Sequence, residues 1–246
     1  MKYTIIIYLF IVNTVLFSND KVEIYTEHYP PYNMKIDGKL KGSSVEILDA
    51  MLKDMGSIQT LDDVSLTNCS RGYSLAQKRK NGMIFSTTRT QAREPLFKWV
   101  GPIANVSVGL IALKSKNMKI KKDSDLKNYK IGAVLKDVGE LLLLERGVLK
   151  KDIQNVSGND AINISFSKMV NNRIDLFSYN TTVAFANAKD QGFDTSKYEI
   201  VYTLKDGQLY FAFNKNTDDK IIKKWQDSLD KIKADGTFEK IINKYK

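Results

Sequence analysis

The residue types that catalyse hydrolysis or ligate metals are scarce in this sequence, which has one histidine, His28, and one cysteine, Cys69. A Ser-His-Asp or Cys-His set would require His28, which lies in a predicted turn, and there is no G-x-S-x-G motif. One histidine and one cysteine cannot supply the usual nitrogen and sulfur ligands of zinc. No glycine-rich phosphate loop is present. We therefore predict no catalytic residue, no metal and no cofactor, and we interpret Cys69 as a small buried residue.

The charge of the chain is strongly positive, with 38 Lys and Arg against 28 Asp and Glu, a formal net charge of +10. The lysines recur along the sequence with acidic residues mixed among most of them. Nucleic-acid binding would require a basic face interleaved with stacking aromatic residues or a known motif, and neither is found. The sequence therefore predicts a solvated surface and no nucleic-acid partner.

The first 18 residues have the pattern of a secretory signal peptide. Lys2 precedes an apolar run from Ile5 to Phe17, which Ser18 follows. The run is shorter than the roughly 20 apolar residues that span a bilayer, and no basic cluster follows it. We predict a cleaved signal peptide at 1–18, a mature chain that begins near Asn19, and a periplasmic location. Cys69 lies too far from the signal to be a lipid-attachment cysteine.

The remaining sequence predicts strands that alternate with helices, the pattern of parallel sheets covered by helices on both faces. The spacing of Val45, Leu48, Leu52 and Met55 is typical of a helix that faces a core. The predicted strands are Val22–Thr26, Met83–Ser86, Ser107–Leu113, Lys130–Leu135, Ile174–Ser178, Glu199–Thr203 and Leu209–Phe213. Besides the helix that carries Val45, the predicted helices are Ser74–Lys80, Gly139–Arg146, Ala161–Asn171, Thr181–Asp190, Asp218–Ala234 and Thr237–Lys244.

Three segments, in this order and spacing, resemble the extracytoplasmic solute-binding proteins of family 3, the polar amino-acid transport type. Thr26 to Ile47 is similar to the family's strand, Tyr-Pro-Pro-Tyr turn and helix start. Ser86 to Ile103 resembles its Thr-x-x-x-Arg segment and Gly-Pro entry to the second lobe. Ile232 to Tyr245 is similar to its Ala-Asp-Gly-Thr helix pair. The resemblance covers essentially the whole mature chain.

The resemblance implies a two-lobed α/β periplasmic-binding-protein-like fold of type II, with mixed, mostly parallel sheets and two hinge strands. On this map lobe 1 is 19–108 and 212–246, and lobe 2 is 109–211. It implies a monomer that closes on a small polar solute, an amino acid or related carboxylate, and delivers it to the ABC permease of the inner membrane. Closure of this kind requires a ligand that binds the closed state better.

The resemblance also implies the ligand-binding residues. Arg93 matches the family's carboxylate-binding arginine, and a guanidinium pairs with a carboxylate through two parallel hydrogen bonds. Ser86 and Thr88 complete the carboxylate shell. Glu27 takes an ammonium group or a cationic side chain. The remaining candidates are Tyr29 and Tyr32 as an aromatic wall, and Arg71 as a residue that reaches the cleft from a nearby loop.

Two positions in lobe 2 depart from the family's pattern. Lys136 stands where relatives carry glycine in a turn that caps the carboxylate, although Asp137 can still contact a polar ligand. Asn180 stands near the position where many amino-acid binders hold the ammonium with aspartate. Either Glu27, Asp137 or Asp175 replaces this charge, or the ligand lacks a standard α-ammonium group.

Two other functions are compatible with the same fold. Some relatives are cyclohexadienyl dehydratases that use a cleft carboxyl group as a general acid, a role that Glu27 or Asp137 would have to take here. Such an acid needs a raised pKa in an apolar setting, and the sequence shows no such arrangement. The other alternative is a sensory module that docks on a receptor, which the sequence does not distinguish from transport.

Overall fold

Strands and helices alternate through most of the chain, in the order that the sequence predicts. The structure is a computed structural model and describes residues 21–245. The strands are β1 (Glu23–Thr26), β2 (Met34–Ile36), β3 (Lys39–Lys41), β4 (Val64–Leu66), β5 (Gly82–Thr88), β6 (Phe97–Leu113), β7 (Ile131–Val134), β8 (Ile153–Val156), β9 (Leu176–Asn180) and β10 (Tyr198–Asn214). The helices are α1 (Ser43–Asp54), α2 (Cys69–Lys78), α3 (Val138–Glu145), α4 (Ala161–Val170), α5 (Thr181–Asp190), α6 (Asp219–Ala234) and α7 (Thr237–Asn243).

Eight of these strands form one sheet, in the order β4-β1-β5-β10-β6-β9-β7-β8. Strand β1 pairs in parallel with β4 and β5, and β7 pairs in parallel with β8 and β9. The two central strands run antiparallel to each other and to their outer neighbours. The sheet therefore has two parallel groups, which we name the β5 side (β4, β1, β5) and the β9 side (β9, β7, β8).

The two central strands connect the two sides. Strands β6 and β10 are both 17 residues long and pair with each other from Phe97–Asn214 to Leu113–Tyr198. The sequence predicts separate strands at 199–203 and 209–213, and this is wrong because Lys205, Asp206 and Gly207 continue the ladder. A short polar stretch with glycine is typical of a turn, but here its backbone hydrogen bonds are made to β6.

Two boundaries and two edge strands also differ from the sequence-based predictions. Strand β6 begins at Phe97, ten residues before the predicted start. Helix α2 begins at Cys69 and not at Ser74, because the Asn68 side chain accepts a hydrogen bond from the Arg71 amide at 3.0 Å and caps the helix one turn earlier. The short strands β4 and β8 lie at the two edges of the sheet and were not predicted.

The C-terminal helices return to the first helix of the chain. Val45, Leu48 and Leu52 of α1 are buried, as their spacing predicts, and they share one core cluster with Trp225 and Leu229 of α6. Burying an aliphatic side chain of this size stabilises the fold by about 1.5–3 kcal/mol. The packing of α6 against α1 fixes the end of the chain beside its beginning.

The apolar segment near the N-terminus lies outside the described residues, as does the predicted cleavage at residue 18. Within residues 21–245, no helix combines the length and the hydrophobicity needed to cross a membrane.

Candidate functional site

Arg93 lies in a short 3₁₀ turn, Gln91–Leu96, directly after the carboxyl end of β5. Its side chain is 4% exposed. The guanidinium donates to the carbonyl oxygen of Thr88 at 3.1 Å and, across the gap between the two sides of the sheet, to that of Lys136 at 3.2 Å. It also lies 5.0 Å from the ring centre of Tyr73, and its Nε atom is buried without a hydrogen-bond partner. Arg93 therefore contacts both sides of the sheet, and its Nε donor is unused among the described residues.

The compartment around Arg93 is small and polar. Its free volume is about 10 Å³, room for roughly one water molecule. Most of the chemistry-bearing residues predicted from the sequence line it. They lie in the last part of β5 or in the segments that follow β1, β5 and β7, at the edge where open α/β sheets bind ligands. The residues that line it are Glu27, Tyr29, Cys69, Tyr73, Ile84, Ser86, Thr87, Thr88, Arg93 and Asp137.

The hydroxyl residues of β5 are placed by an unusual backbone. Ser86 has φ 59°, in the left-handed region, although it lies within a strand. Its hydroxyl donates a short hydrogen bond to the Asn33 side-chain oxygen, and the Asn33 amide in turn donates to the Glu27 carbonyl oxygen at 2.6 Å. Ser86 and Thr88 both line the compartment, next to Arg93.

Two carboxyl groups face this compartment from opposite sides of the gap. Asp137, after β7, is 5% exposed and accepts a hydrogen bond from the Gly139 amide at 3.0 Å, which caps α3. Glu27 follows β1. The pKa of Glu27 is raised to about 8, mainly by burial and secondly by the negative charge of Asp137. Burial also raises the pKa of Asp137. Cys69 lies between them, with its Sγ atom 3.9 Å from Asp137 Oδ2.

The thiol of Cys69 is not set up as a nucleophile. Burial, together with the charges of Glu27 and Asp137, raises its pKa well above the ordinary value, whereas a reactive cysteine has a lowered one. The structure thus supports the interpretation of Cys69 as a buried residue, and it places that residue in the compartment.

A second, larger cavity adjoins this compartment. Its volume is about 340 Å³, and it shares Glu27 and Cys69 with the Arg93 compartment. The other lining residues come from both sides of the sheet and from the starts of α2 and α4. They are His28, Leu66, Thr67, Asn68, Ser70, Val134, Leu135, Ser157, Gly158, Asn159, Asp160, Ala161, Ile162, Asn163, Tyr179, Asn187 and Gln191.

Of the two predicted aromatic residues, only Tyr29 lines the compartment. Its ring centre lies 5.9 Å from that of Tyr32 and 5.9 Å from that of Tyr179, which meets it edge-on from β9. Tyr32 lies behind it and donates to the Asn105 carbonyl oxygen at 3.3 Å. The aromatic contact across the gap therefore joins Tyr29 to Tyr179, a residue not predicted from the sequence.

Three predicted site residues line neither cavity: Tyr32, Asn180 and Arg71. Asn180 is fully buried and caps α5, where its side-chain oxygen accepts a hydrogen bond from the Val183 amide at 3.1 Å, while its Nδ2 has no partner. Arg71 is exposed on α2. Asp175, an alternative for the missing charge, accepts from the Lys130 amide at 2.9 Å, away from both cavities. Ligand contact by Asn180 and Arg71 stays a prediction.

Sequence reasoning missed the residues of the large cavity. Asn159, Asn163 and Asn187 carry no motif, and their proximity to Glu27 depends on the two sides of the sheet facing each other. Tyr73 and Asn33, which contact Arg93 and Ser86, were also missed. Their nearness to the predicted segments was the only signal available.

Residues 22–246 match the family model described as "Bacterial extracellular solute-binding proteins, family 3". The chain belongs to this family. It is 28% identical over 226 residues to the "Probable histidine-binding protein" of Campylobacter jejuni, an alignment covering 89% of this chain and 81% of that protein. It is 28% identical over 219 residues to the "Probable amino-acid-binding protein YxeM" of Bacillus subtilis, covering 87% and 79%.

A solved structure supports the same fold at lower identity. The arginine-, lysine-, histidine-binding protein ArtJ of Geobacillus stearothermophilus superposes with a TM-score of 0.73 at 18% identity, over 92% of this chain and 95% of that one. The predicted family and the two-lobed fold are thereby confirmed. As a family 3 solute-binding protein, the chain has a substrate-binding role and belongs to an extracellular class of protein.

Proposed function

We propose that this protein is the periplasmic substrate-binding component of an ABC transporter, and that it holds an amino acid by its carboxylate at Arg93, between two lobes. It binds without catalysis, acts as a monomer and is exported by a cleaved signal peptide at 1–18. The two relatives described above are named as a probable histidine-binding protein and a probable amino-acid-binding protein, which supports the ligand class.

The observation that carries this proposal is the state of the Arg93 guanidinium. Within residues 21–245 no carboxylate forms a salt bridge with it, its Nε is unsatisfied, and only 4% of the residue is exposed. A buried charge without a close counter-ion is costly. Glu27 and Asp137 act on it electrostatically without pairing with it. A ligand carboxylate would replace the Lys136 carbonyl oxygen as acceptor and form a bidentate pair with the guanidinium.

The other end of an amino acid requires acceptors for its ammonium group. Glu27 and Asp137 are the carboxyl groups in the Arg93 compartment, and they come from opposite sides of the gap. We assign the ammonium group to these two residues, because the Asn180 side-chain oxygen already accepts a hydrogen bond from the α5 backbone. An ammonium group held by both carboxylates favours the closed arrangement.

The proposed lobes follow the sheet. Lobe 1 comprises 19–108 and 212–246, and lobe 2 comprises 109–211, with β6 and β10 as the two crossovers. Support comes from the pairing of β10 with β5 near Ala212 and of β6 with β9 from Val108 onwards. The packing of α6 on α1 supports assigning the C-terminal segment to lobe 1.

A thermal-shift screen of the mature chain tests the function. Amino acids, oligopeptides and simple carboxylates are added singly, to the wild type and to Arg93→Ala. We expect at least one amino acid to raise the Tm of the wild type and not that of the variant. Stabilisation by no carboxylate-bearing compound, or equal stabilisation of both proteins, would refute the proposal. Light scattering of the same sample tests the monomer.

One observation favours a second candidate, an acid-catalysed dehydration. Contrary to the sequence-based expectation, the cleft does contain a carboxyl group with a raised pKa, that of Glu27 at about 8, and such a group is protonated at neutral pH and can act as a general acid. Incubation with prephenate or arogenate distinguishes the two functions. Binding alone predicts no change in product absorbance, and turnover that Glu27→Gln abolishes would establish the enzyme.

Transport and sensing differ in the docking partner and not in the site. Adjacent genes for a permease and an ATPase would support uptake, whereas an adjacent sensor-kinase gene would support signalling. Uptake of the ligand by vesicles that contain the permease, dependent on added binding protein, tests the transporter directly.

A further inference from the structure

The large cavity has the size and position of a compartment for the distal part of the ligand. It measures about 340 Å³, within the range of small-molecule pockets, whereas the Arg93 compartment has about 10 Å³ to spare. Because both include Glu27 and Cys69, a ligand held at Arg93 can extend into the larger space. A short side chain would leave most of that space to water.

The wall of this cavity offers hydrogen-bond acceptors and negative charge. Among the described residues that line it, the carboxyl groups are those of Glu27 and Asp160, and there is no lysine or arginine. Asn163 Oδ1 is buried without a partner. The Asn187 amide donates to the Val183 carbonyl oxygen at 3.0 Å, so that its oxygen is the group left for a ligand. A buried acceptor without a donor costs about 1–3 kcal/mol, and a donor-rich ligand would remove that cost at Asn163.

Two helix N-termini in the cavity wall favour an anion instead, because each carries a partial positive charge of about one half. The α2 terminus is already capped by Asn68. The α4 terminus has no side-chain cap, but the carboxylate of its N-cap residue, Asp160, lies beside it. The full negative charge of Asp160 outweighs the partial positive charge that remains, and an entering cation gains the charge of Glu27 as well when it ionises that group. The cavity therefore favours a cation over an anion.

We propose that Asp160 and Asn163 at the start of α4, with Asn187 on α5, form a distal subsite for the cationic end of a long side chain, a guanidinium or primary ammonium group. This rests on the proposed function, which fixes the carboxylate at Arg93. The protein then selects basic amino acids through these three residues of lobe 2 as well as through Glu27.

Proton exchange gives this subsite a signature. A cation in the cavity favours the ionised form of Glu27, whose pKa is raised to about 8 without it. The α-ammonium group of any amino acid, held by Glu27 and Asp137, already favours this ionisation, and a second cation in the cavity favours it further. Binding of a basic amino acid at pH 7 therefore releases more protons than binding of a neutral one. The titratable and charged groups that surround Glu27 come from several elements. They are Asp137, Cys69, Arg93, Tyr29, Tyr73, Tyr179, Asp160 and the exposed His28.

Calorimetry with arginine and citrulline tests the subsite, because these two amino acids match in shape and differ in charge. We expect arginine to bind at least 10-fold more tightly than citrulline, in line with a hydrogen bond to a charged group. Titrations in phosphate and in Tris at pH 7 should show a larger proton release with arginine than with citrulline, and Glu27→Gln should abolish the difference.

The variant Asp160→Asn, which removes a charge, should weaken arginine binding about 10-fold or more and leave citrulline within about twofold. Asn163→Leu removes an acceptor that the N–H groups of both ligands can use, and it should weaken arginine binding about 10-fold or more. Asn171→Leu is the matched control, since Asn171 is exposed just beyond the other end of α4 and bonds only within its own helix region. It should change neither affinity. Circular dichroism checks that all variants fold.

The outcomes separate the two proposals. Equal affinity for arginine and citrulline, or unchanged arginine binding in both subsite variants, overturns the subsite while Arg93-dependent binding upholds the function. Tighter binding of glutamate than of arginine also overturns the subsite. Arginine binding that Arg93→Ala leaves intact overturns the proposed function, and absence of binding by any amino acid overturns both.

Discussion

Replacing Arg93 by alanine removes the group on which ligand binding is proposed to depend. In the structure this guanidinium makes hydrogen bonds of 3.1 and 3.2 Å to two carbonyl oxygens, and in the complex two of its donors would face the ligand carboxylate. A hydrogen bond to a charged group contributes about 1.5–3 kcal/mol. Taking the low end for each of the two bonds, the variant loses about 3 kcal/mol, which raises Kd about 150-fold.

The size of the thermal response follows from this loss. A ligand at 100 times its Kd stabilises the wild type by about 2.7 kcal/mol, and the same concentration stabilises the variant by only about 0.3 kcal/mol. One kcal/mol corresponds to about 2–4 °C of Tm for a chain of this length. The ligand-induced rise should therefore fall from about 5–11 °C to about 1 °C.

Differential scanning fluorimetry measures both values, and Arg79→Ala is the matched control. Arg79 is exposed, and its closest carboxylate contact is with Glu23 at 3.8 Å, so its removal should leave the ligand response unchanged. Arg93→Lys keeps the positive charge but loses the two parallel N–H donors of the guanidinium, and its ligand-induced rise in Tm should lie between those of the wild type and Arg93→Ala. A full ligand-induced rise in Arg93→Ala, in a protein whose circular dichroism matches the wild type, would refute the reasoning.

Three further predictions concern the cleft and its supports. Because its folded pKa is raised from 4.5 to about 8, Glu27 favours the folded state most below pH 4.5, and this contribution is lost as the pH rises to 8. Glu27→Gln should remove this loss of stability with rising pH. Each unit of the pKa shift corresponds to about 1.4 kcal/mol of stability, or about 3–6 °C in Tm. Parallel Tm–pH curves for the wild type and the variant would contradict the prediction. Asn180→Ala should lower the free energy of unfolding in urea by about 1 kcal/mol through loss of the α5 cap without changing ligand affinity, whereas a large loss of affinity would favour ligand contact. Alkylation of Cys69 by a maleimide should be slow and should become slower still with ligand, because the proposed closure of the lobes around the ligand shields the thiol further. An alkylation rate that ligand leaves unchanged would place Cys69 outside the region that closes.

Local patterns in the sequence were sufficient to predict most of the elements. The stripe of Val45, Leu48 and Leu52 predicts the buried face of α1, and the predicted strand at 130–135 corresponds to β7. The long central strands were not predictable in this way. Lys205–Gly207 has the composition of a turn, and it is extended only because β6 offers it hydrogen-bonding partners.

The candidate site was predictable where a motif marks the residue. The segment that ends in Arg93 and the turn that contains Tyr29 are examples, and both residues line the Arg93 compartment. Asn180 has another role in the structure, because an asparagine at the start of a helix also serves as a cap, and the sequence contains both possibilities. The cavity beside Glu27 could not be predicted, since Asn163 and Asn187 reach it only through the relative position of the two sides of the sheet.

The most direct test of the central claim is a crystal structure of the mature protein with the amino acid that stabilises it most. We predict density for the ligand between the lobes, with both carboxylate oxygens at about 2.7–2.9 Å from Arg93 nitrogen atoms. A ligand bound elsewhere, or one whose carboxylate lies out of reach of Arg93, would contradict the account.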